Sequence, residues 1–138
     1  MNILNLINKT RLLPLTTLTS REDVEPLCDI LLDASIPYIE ITLRDQRTLE
    51  IIDEFKKFPD IHLGIGTIRT IEHIDIAAEA DASFLITPGF SESLTNHAAL
   101  KNIPMIPGVQ TPSEIIKANE AGFSTLKFFP AELSGGVS

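Results

Sequence analysis

Charged and polar side chains interrupt two apolar stretches of the chain that otherwise resemble buried strands. In the first stretch every second residue is polar, so Glu40, Thr42 and Arg44 share one face of the strand, because strand side chains alternate. In the second stretch Lys127 stands between leucine and phenylalanine. Parallel strands buried on both faces are normally continuous in apolar residues. An unpaired charge there costs several kcal/mol, so these polar residues need a structural or a chemical reason.

The pattern permits a purely structural reason and a catalytic one. Structurally, Glu40 could pair with Lys127 or with Arg44, and the pair would do no more than neutralise itself. Catalytically, a desolvated lysine close to another cation is in part a neutral amine, and a neutral amine attacks ketones to form a Schiff base. Glu40 could then move protons as a general acid and base, and Arg44 could bind a carboxylate. This set of groups suits a 2-keto acid.

Two glycines and a threonine at the end of another strand candidate fit a ligand pocket. Gly64 and Gly66 are expected to leave room for a ligand because they have no side chains, and Thr67 offers a hydroxyl. The glycine pattern lacks the third glycine of a dinucleotide-binding loop, and no phosphate-binding P-loop sequence occurs in the chain.

Strand-like and helix-like segments alternate along the whole chain. The predicted strands are 12–15, 38–43, 61–65, 84–86, 105–106 and 125–128. The predicted helices between them are 21–34, 46–58, 70–80, 91–100 and 111–121. About six strand–helix units in strict alternation predict an α/β fold with a parallel sheet, either a barrel or a doubly wound sheet.

Five short motifs occur together in a characteristic order and spacing. They are Glu40-Ile41-Thr42-Leu43-Arg44, Gly64-Ile65-Gly66-Thr67, Thr87-Pro88-Gly89, Ile106-Pro107-Gly108-Val109 and Lys127-Phe128-Phe129-Pro130-Ala131-Glu132. With these motifs the chain resembles the class I aldolases that act on 2-keto-3-deoxy-6-phosphogluconate (KDPG) and 4-hydroxy-2-oxoglutarate (KHG). The resemblance covers essentially all 138 residues, and about the first two thirds of the family's chain.

The resemblance implies a reaction and the residues that perform it. Lys127 would form the Schiff base with pyruvate, and Glu40 would transfer protons, acting through water. The implied substrate-binding residues are Arg44, Thr67, Pro88, Phe129 and Lys127. The family cleaves its substrates reversibly to pyruvate and an aldehyde, which is glyceraldehyde 3-phosphate or glyoxylate. No metal or organic cofactor is implied, because the imine is the electron sink.

The resemblance also implies a (β/α)₈ TIM barrel that assembles as a homotrimer. Such a barrel needs eight strands and about 200 residues or more. We therefore expect residues 1–138 to be a single domain, the N-terminal two thirds of an aldolase barrel, with its sheet open. The last two strands and the family's glycine-rich phosphate-binding segment lie outside this sequence.

Composition limits the other function classes. The formal net charge of −8 argues against nucleic acid or an anionic membrane as partner. The single cysteine, Cys28, lies in an apolar run and is expected to be a buried structural thiol. No basic and apolar leader begins the sequence, which favours a cytoplasmic protein. Two alternatives remain open: a non-catalytic partial barrel that binds a keto acid or assembles with other chains, and a flavodoxin-like α/β binding domain.

Overall fold

The computed structural model describes residues 3–136, in which parallel strands form one curved wall. Five strands are hydrogen-bonded in chain order, and two further strands form a separate parallel pair. The strands of the five-stranded sheet are β1 (Leu15–Thr16), β2 (Tyr38–Thr42), β3 (His62–Gly66), β4 (Phe84–Ile86) and β5 (Met105–Ile106). The pair consists of β6 (Gly108–Val109) and β7 (Lys127–Phe128).

Pro107 joins the two groups of strands into one continuous surface. It interrupts a single extended segment, whose first half is β5 and whose second half is β6. The carbonyl of Pro107 accepts a hydrogen bond from the amide of Lys127 at 2.9 Å, and the carbonyl of Val109 accepts one from Phe129 at 3.1 Å. The strand that carries Lys127 is thereby attached to the last edge of the parallel array.

Helices follow most strands, and capping side chains begin several of them. The helices are α1 (Ile3–Thr10), α2 (Val24–Asp33), α3 (Gln46–Ile51), α4 (Ile71–Glu79), α5 (Glu92–Leu100) and α6 (Pro112–Glu120). Short 3₁₀ turns at Arg21–Asp23 and Ile52–Lys57 precede α2 and extend α3. Thr111 and Glu114 form a reciprocal capping box at the start of α6, and Pro112 occupies its first turn. The fold is thus α/β with a parallel sheet.

The larger apolar core lies between the sheet and the helices that follow its strands. Alternate strand residues such as Ile39, Ile41 and Ile65 pack there with helical residues such as Ile74 and Ala77. Cys28 on α2 is fully buried in the same core, as predicted. Its burial raises the pKa of the thiol to about 11, so the group stays a protonated, apolar packing element.

A second apolar cluster covers the opposite face of the sheet, where α1 packs. It combines Tyr38, Phe84 and Ile86 from the strands with Ile3 from α1. The hydroxyl of Thr10, at the end of α1, is hydrogen-bonded to the buried hydroxyl of Tyr38. The predicted elements begin only at residue 12, so α1 has no counterpart among them; its apolar side chains pack on the surface that the sheet supplies.

Several elements differ from the predictions in extent or geometry, and most other bounds shift by about one residue. The first strand is Leu15–Thr16 and not 12–15, because α1 continues to Thr10 and the chain then needs a connection. The last strand contains only Lys127–Phe128. The helix predicted for 46–58 changes to 3₁₀ geometry at Ile52. Segment 105–109 contains two short strands, since Pro107 has no amide hydrogen for a ladder.

No helix in the range 3–136 has the length and apolar character needed to cross a membrane.

Candidate active site

Lys127 and Glu40 meet on the face of the sheet that α1 partly covers. The Nζ atom of Lys127 lies 3.2 Å from Oε1 and 3.5 Å from Oε2 of Glu40. The Glu40 side chain is 2% exposed, whereas that of Lys127 is 26% exposed. The amine is also 5.4 Å from the ring centroid of Phe129. The ion pair is therefore open on the lysine side, which distinguishes it from a pair sealed in a core.

Strand pairing places the carboxylate of Glu40. Its backbone lies between Leu15 on β1 and Gly64 on β3 in the parallel register. Its amide donates to the carbonyl of Pro14 at 2.8 Å. Lys127, 87 positions further along the chain, approaches this carboxylate only because the wall curves through β3, β4 and β5.

The two glycines of β3 make room for protein side chains, which corrects the expectation that they make room for a ligand. A Cβ atom on Gly66 would overlap the carboxylate of Glu40, and one on Gly64 would overlap the ring of Phe84. Glycine is needed at these positions because the two larger side chains fill the inner face of the sheet there.

A cavity of about 460 Å³ opens beside the Lys127 amine. Its lining residues come from the ends of several strands and are Arg44, Thr67, Arg69, Pro88, Lys127 and Phe129. The structure thus brings together all five predicted substrate-binding residues. Glu40 lies behind Lys127 and is not part of this lining.

Arg69 is the cavity residue that the substrate-binding prediction did not include. The sequence places Arg69 just after a strand end, from which it could reach an anion, although the sequence favours a solvated loop position. In the structure it follows the end of β3. The signal in the sequence that could have identified Arg69 as a cavity residue is its position two residues after Thr67, across a turn.

The loop that carries Thr67 and Arg69 is anchored on both sides. Thr67 has a φ of 62°, which turns the chain sharply after β3. Ile68 is fully buried, and its amide donates to the carbonyl of Ile86 at 3.1 Å. The amide of Arg69 donates to Nδ1 of His73 at 3.3 Å. These contacts set the positions from which both side chains enter the cavity.

Within residues 3–136 the Arg44 guanidinium has no ion pair, and the neighbouring carboxylate of Asp45 pairs with Arg47 instead. Asp45 accepts hydrogen bonds from Nε and Nη2 of Arg47 at 3.0 and 2.7 Å, and it also caps α3. These bonds lower the pKa of Asp45 to about 2. The carboxylate next to Arg44 is therefore already paired with Arg47, and it also caps the N-terminus of α3.

Thr42, which lies between Glu40 and Arg44 in the alternating polar series, has a structural role. Its hydroxyl is hydrogen-bonded to the hydroxyl of Thr17 and lies 3.4 Å from the carbonyl oxygen of Thr16. The side chain is fully buried and is absent from the cavity lining. Of the alternating polar residues, Glu40 contacts the Lys127 amine and Arg44 lines the cavity beside it. Thr42 is hydrogen-bonded to the segment after β1.

The sequence matches the family model "Aldolase: KDPG and KHG aldolase" over residues 3–138. The 2-dehydro-3-deoxy-phosphogluconate aldolase of Treponema pallidum (strain Nichols) is 36% identical over 137 residues, which are 99% of this chain and 65% of the relative. The KHG/KDPG aldolase of Escherichia coli (strain K12) is 34% identical over 125 residues, 90% of this chain and 59% of the relative. The chain thus spans about three fifths of the length of these curated relatives.

Solved structures agree with this assignment. KDPG aldolase from Legionella pneumophila, with pyruvate captured at low pH as a covalent carbinolamine intermediate, is 32% identical and superposes with a TM-score of 0.83. The alignment covers 91% of this chain and 61% of that one. Both the sequence match and the parallel α/β wall place this chain, as a partial TIM-barrel-type structure, in the KDPG and KHG aldolase family.

Proposed function

We propose that this chain carries the pyruvate-binding part of a class I aldolase, with Lys127 as the Schiff-base residue. The observation that supports this most is the contact of 3.2 Å between the Lys127 amine and the buried carboxylate of Glu40, next to a cavity lined by Arg44. In the whole protein the chain would be the N-terminal two thirds of a TIM barrel. The substrate would be a 2-keto acid that is cleaved to pyruvate and an aldehyde.

The proposed reaction begins with proton transfer from the amine to the adjacent carboxylate. Glu40 is in hydrogen-bond range of Nζ, so it can accept the proton that makes Lys127 a nucleophile. The neutral amine adds to the keto carbon, and loss of water gives an iminium ion. Arg44 would hold the carboxylate of the keto acid by a charge-assisted hydrogen bond, and Thr67 would add a hydroxyl contact.

Carbon–carbon cleavage would follow at the iminium stage. The iminium nitrogen accepts the electron pair of the breaking bond, while a base removes the proton of the substrate hydroxyl and the aldehyde leaves. Glu40, directly or through water, is the group within reach for this proton and for its return to the methylene carbon of the enamine. Hydrolysis of the resulting imine releases pyruvate and restores the lysine.

Pro88 and Phe129 complete the proposed pocket without taking part in proton transfer. Both line the cavity, and the ring of Phe129 lies beside the amine. Both side chains present apolar surface beside the position that the iminium carbon would take.

Reductive trapping tests the proposal. The protein is incubated with pyruvate and borohydride, and intact mass with peptide mapping locates the adduct. We expect one adduct on Lys127, none in Lys127→Arg, and an unchanged adduct in Lys117→Arg, which alters an exposed lysine on α6. An adduct that persists in Lys127→Arg, or wild-type protein that stays unmodified, would refute the role of Lys127.

A further inference from the structure

The segment 86–88, at the end of β4, joins several parts of the proposed site. The carbonyl of Ile86 accepts a hydrogen bond from the amide of Ile68 at 3.1 Å, and this bond holds the loop after β3. Pro88 lines the cavity. Between them lies Thr87, which is 1% exposed and is not among the described residues that line the cavity. A buried hydroxyl that no ligand in the cavity can reach needs a partner within the protein.

The hydroxyl of Thr87 connects this segment to the strand beside Lys127. Its Oγ1 atom accepts a hydrogen bond from the amide of Gly108 at 3.2 Å in a buried position. Gly108 begins β6 and is paired in parallel register with Lys127 on β7. The carbonyl of Pro107, just before Gly108, accepts the hydrogen bond from the amide of Lys127 at 2.9 Å. The buried hydroxyl is therefore separated from the backbone of Lys127 by a single residue pair of the ladder.

Gly108 also lies directly against the wall of the cavity. A Cβ atom on Gly108 would lie 2.4 Å from the carbonyl oxygen of Pro88 and 2.6 Å from that of Thr87. The backbone at Pro88 and the strand β6 are thus in close contact, and the hydrogen bond of Thr87 belongs to the same contact. Since Pro88 and Lys127 both line the cavity, a shift of β6 relative to Pro88 would move the amine relative to that wall.

We propose that Thr87 is a positioning residue for the Schiff-base reaction, because its buried hydroxyl holds the strand pair of Lys127 against the cavity wall at Pro88. The inference rests on the proposed function, in which the Lys127 amine attacks the keto carbon. Such an attack requires a defined distance and angle, and a misplacement of about 1 Å can cost roughly 100-fold in rate. Without the hydroxyl, the buried amide of Gly108 loses its acceptor, and β6 must move to find another.

Trapping kinetics test the proposal. Adduct formation on Lys127 is followed by intact mass over a range of pyruvate concentrations, with enough cyanoborohydride that reduction of the imine is not rate-limiting. The measurement gives a maximal rate and a half-saturating pyruvate concentration. Thr87→Val removes the hydroxyl at nearly constant shape, and Thr87→Ser keeps it. Thr48→Val is the matched control, since Thr48 is also buried, donates to the carbonyl of Leu18 at 2.8 Å and is not among the described cavity residues.

We expect Thr87→Val to lower the maximal rate about tenfold, with less than about a threefold change in the half-saturating concentration. Thr87→Ser should stay within about twofold of wild type, and so should Thr48→Val, although the latter lowers the urea midpoint. Hydrogen exchange of the Gly108 amide, measured by NMR, should be faster in Thr87→Val than in Thr48→Val. If Thr87→Val does not fold, Thr87→Cys replaces it. A thiol is a weaker acceptor, so its rate should lie between those of wild type and a tenfold loss.

Three results would overturn the inference. They are a wild-type rate in Thr87→Val or its cysteine replacement, an equal loss of rate in Thr48→Val, and a loss in Thr87→Ser as large as in Thr87→Val. Trapping of the wild type is the separate readout for the proposed function. Wild type trapped on Lys127, together with any of these results, rejects the role of Thr87 alone. Wild type that is not trapped rejects the role of Lys127 and this inference with it.

Discussion

Glu40 occupies the space that any side chain at Gly66 would need. The two residues lie on neighbouring parallel strands, and a Cβ atom on Gly66 would overlap the carboxyl group that contacts Lys127. A residue without a side chain on β3 is therefore a condition for the buried carboxylate on β2. Gly66 therefore supports the proposed chemistry indirectly, by leaving space for the carboxyl group of Glu40.

Replacing Gly66 by alanine should displace Glu40 from Lys127. The added methyl group forces the carboxyl group or the strand to move, at a cost of about 1–3 kcal/mol in the free energy of unfolding. We expect slower proton exchange at the pyruvate methyl group and a lower urea midpoint. Gly89→Ala is the matched control, since a Cβ atom there would meet no atom within 4 Å. Equal behaviour of the two variants would show that β3 does not constrain Glu40.

Glu40→Gln should separate imine formation from proton transfer. Glutamine keeps the shape of the side chain but cannot accept a proton, and general acid–base catalysis is typically worth about 100-fold or more. We expect the borohydride-trapped adduct still to form, because solvent reaches the partly exposed Lys127 amine and can take its proton in place of Glu40. Exchange of the pyruvate methyl protons in D₂O should slow by about that factor. Exchange at the wild-type rate in a variant that still forms the imine would remove Glu40 from the proton-transfer role.

The hydrogen bond between Tyr38 and Thr10 should hold α1 on the sheet. Tyr38→Phe removes one buried hydroxyl and should lower the free energy of unfolding by about 0.5–1.5 kcal/mol. Thr10→Val should cost more, about 1–3 kcal/mol, because it leaves the buried Tyr38 hydroxyl without its partner. Urea titrations of both variants and of the double variant measure the coupling. If the two losses simply add, the hydroxyl groups do not interact in solution.

The ion pair of Asp45 and Arg47 should make the free energy of unfolding depend on pH between about pH 4 and 2. The folded pKa of Asp45, about 2, lies below its ordinary value of 3.8, so its contribution is present above about pH 4. That contribution is lost as the pH falls through 2, where the carboxyl group becomes protonated in both states. Wild type should be more stable than Asp45→Asn at pH 6, and the difference should shrink between pH 4 and 2.

Asp60→Asn is the control for this pH dependence. Asp60 is exposed and has no ion pair within the described range 3–136. The stability of Asp60→Asn, measured by urea titration over the same pH range, is the reference against which the Asp45→Asn difference is compared. A pH-independent difference for Asp45→Asn would mean that the pair with Arg47 is not formed in solution.

Local patterns in the sequence predicted the alternation of strands and helices and identified Glu40, Arg44, Thr67 and Lys127 as candidate site residues, whereas Pro88 and Phe129 came only from the family resemblance. Period-two polarity in the sequence predicted that Glu40 and Arg44 share one side of the strand; Glu40 lies on the inner face of β2, and Arg44 lies in the turn after β2 ends at Thr42. The charge within an apolar stretch indicated Lys127. Both signals are local, because side-chain alternation and the cost of burying a charge do not depend on the rest of the fold. The order of the motifs then indicated the family.

Several features could be decided only by the tertiary structure. The contact of Lys127 with Glu40 depends on the curvature of the whole sheet. The helix α1 is stabilised by packing on the inner face of the sheet, where it meets Tyr38 and Phe84. The roles of Gly64 and Gly66 were assigned wrongly because a sequence does not state what fills the space beside a glycine. Arg69 lines the cavity because of contacts that the sequence does not show. The turn at Thr67 and the contacts of the surrounding loop decide whether an arginine after a strand lies in solvent or in a pocket.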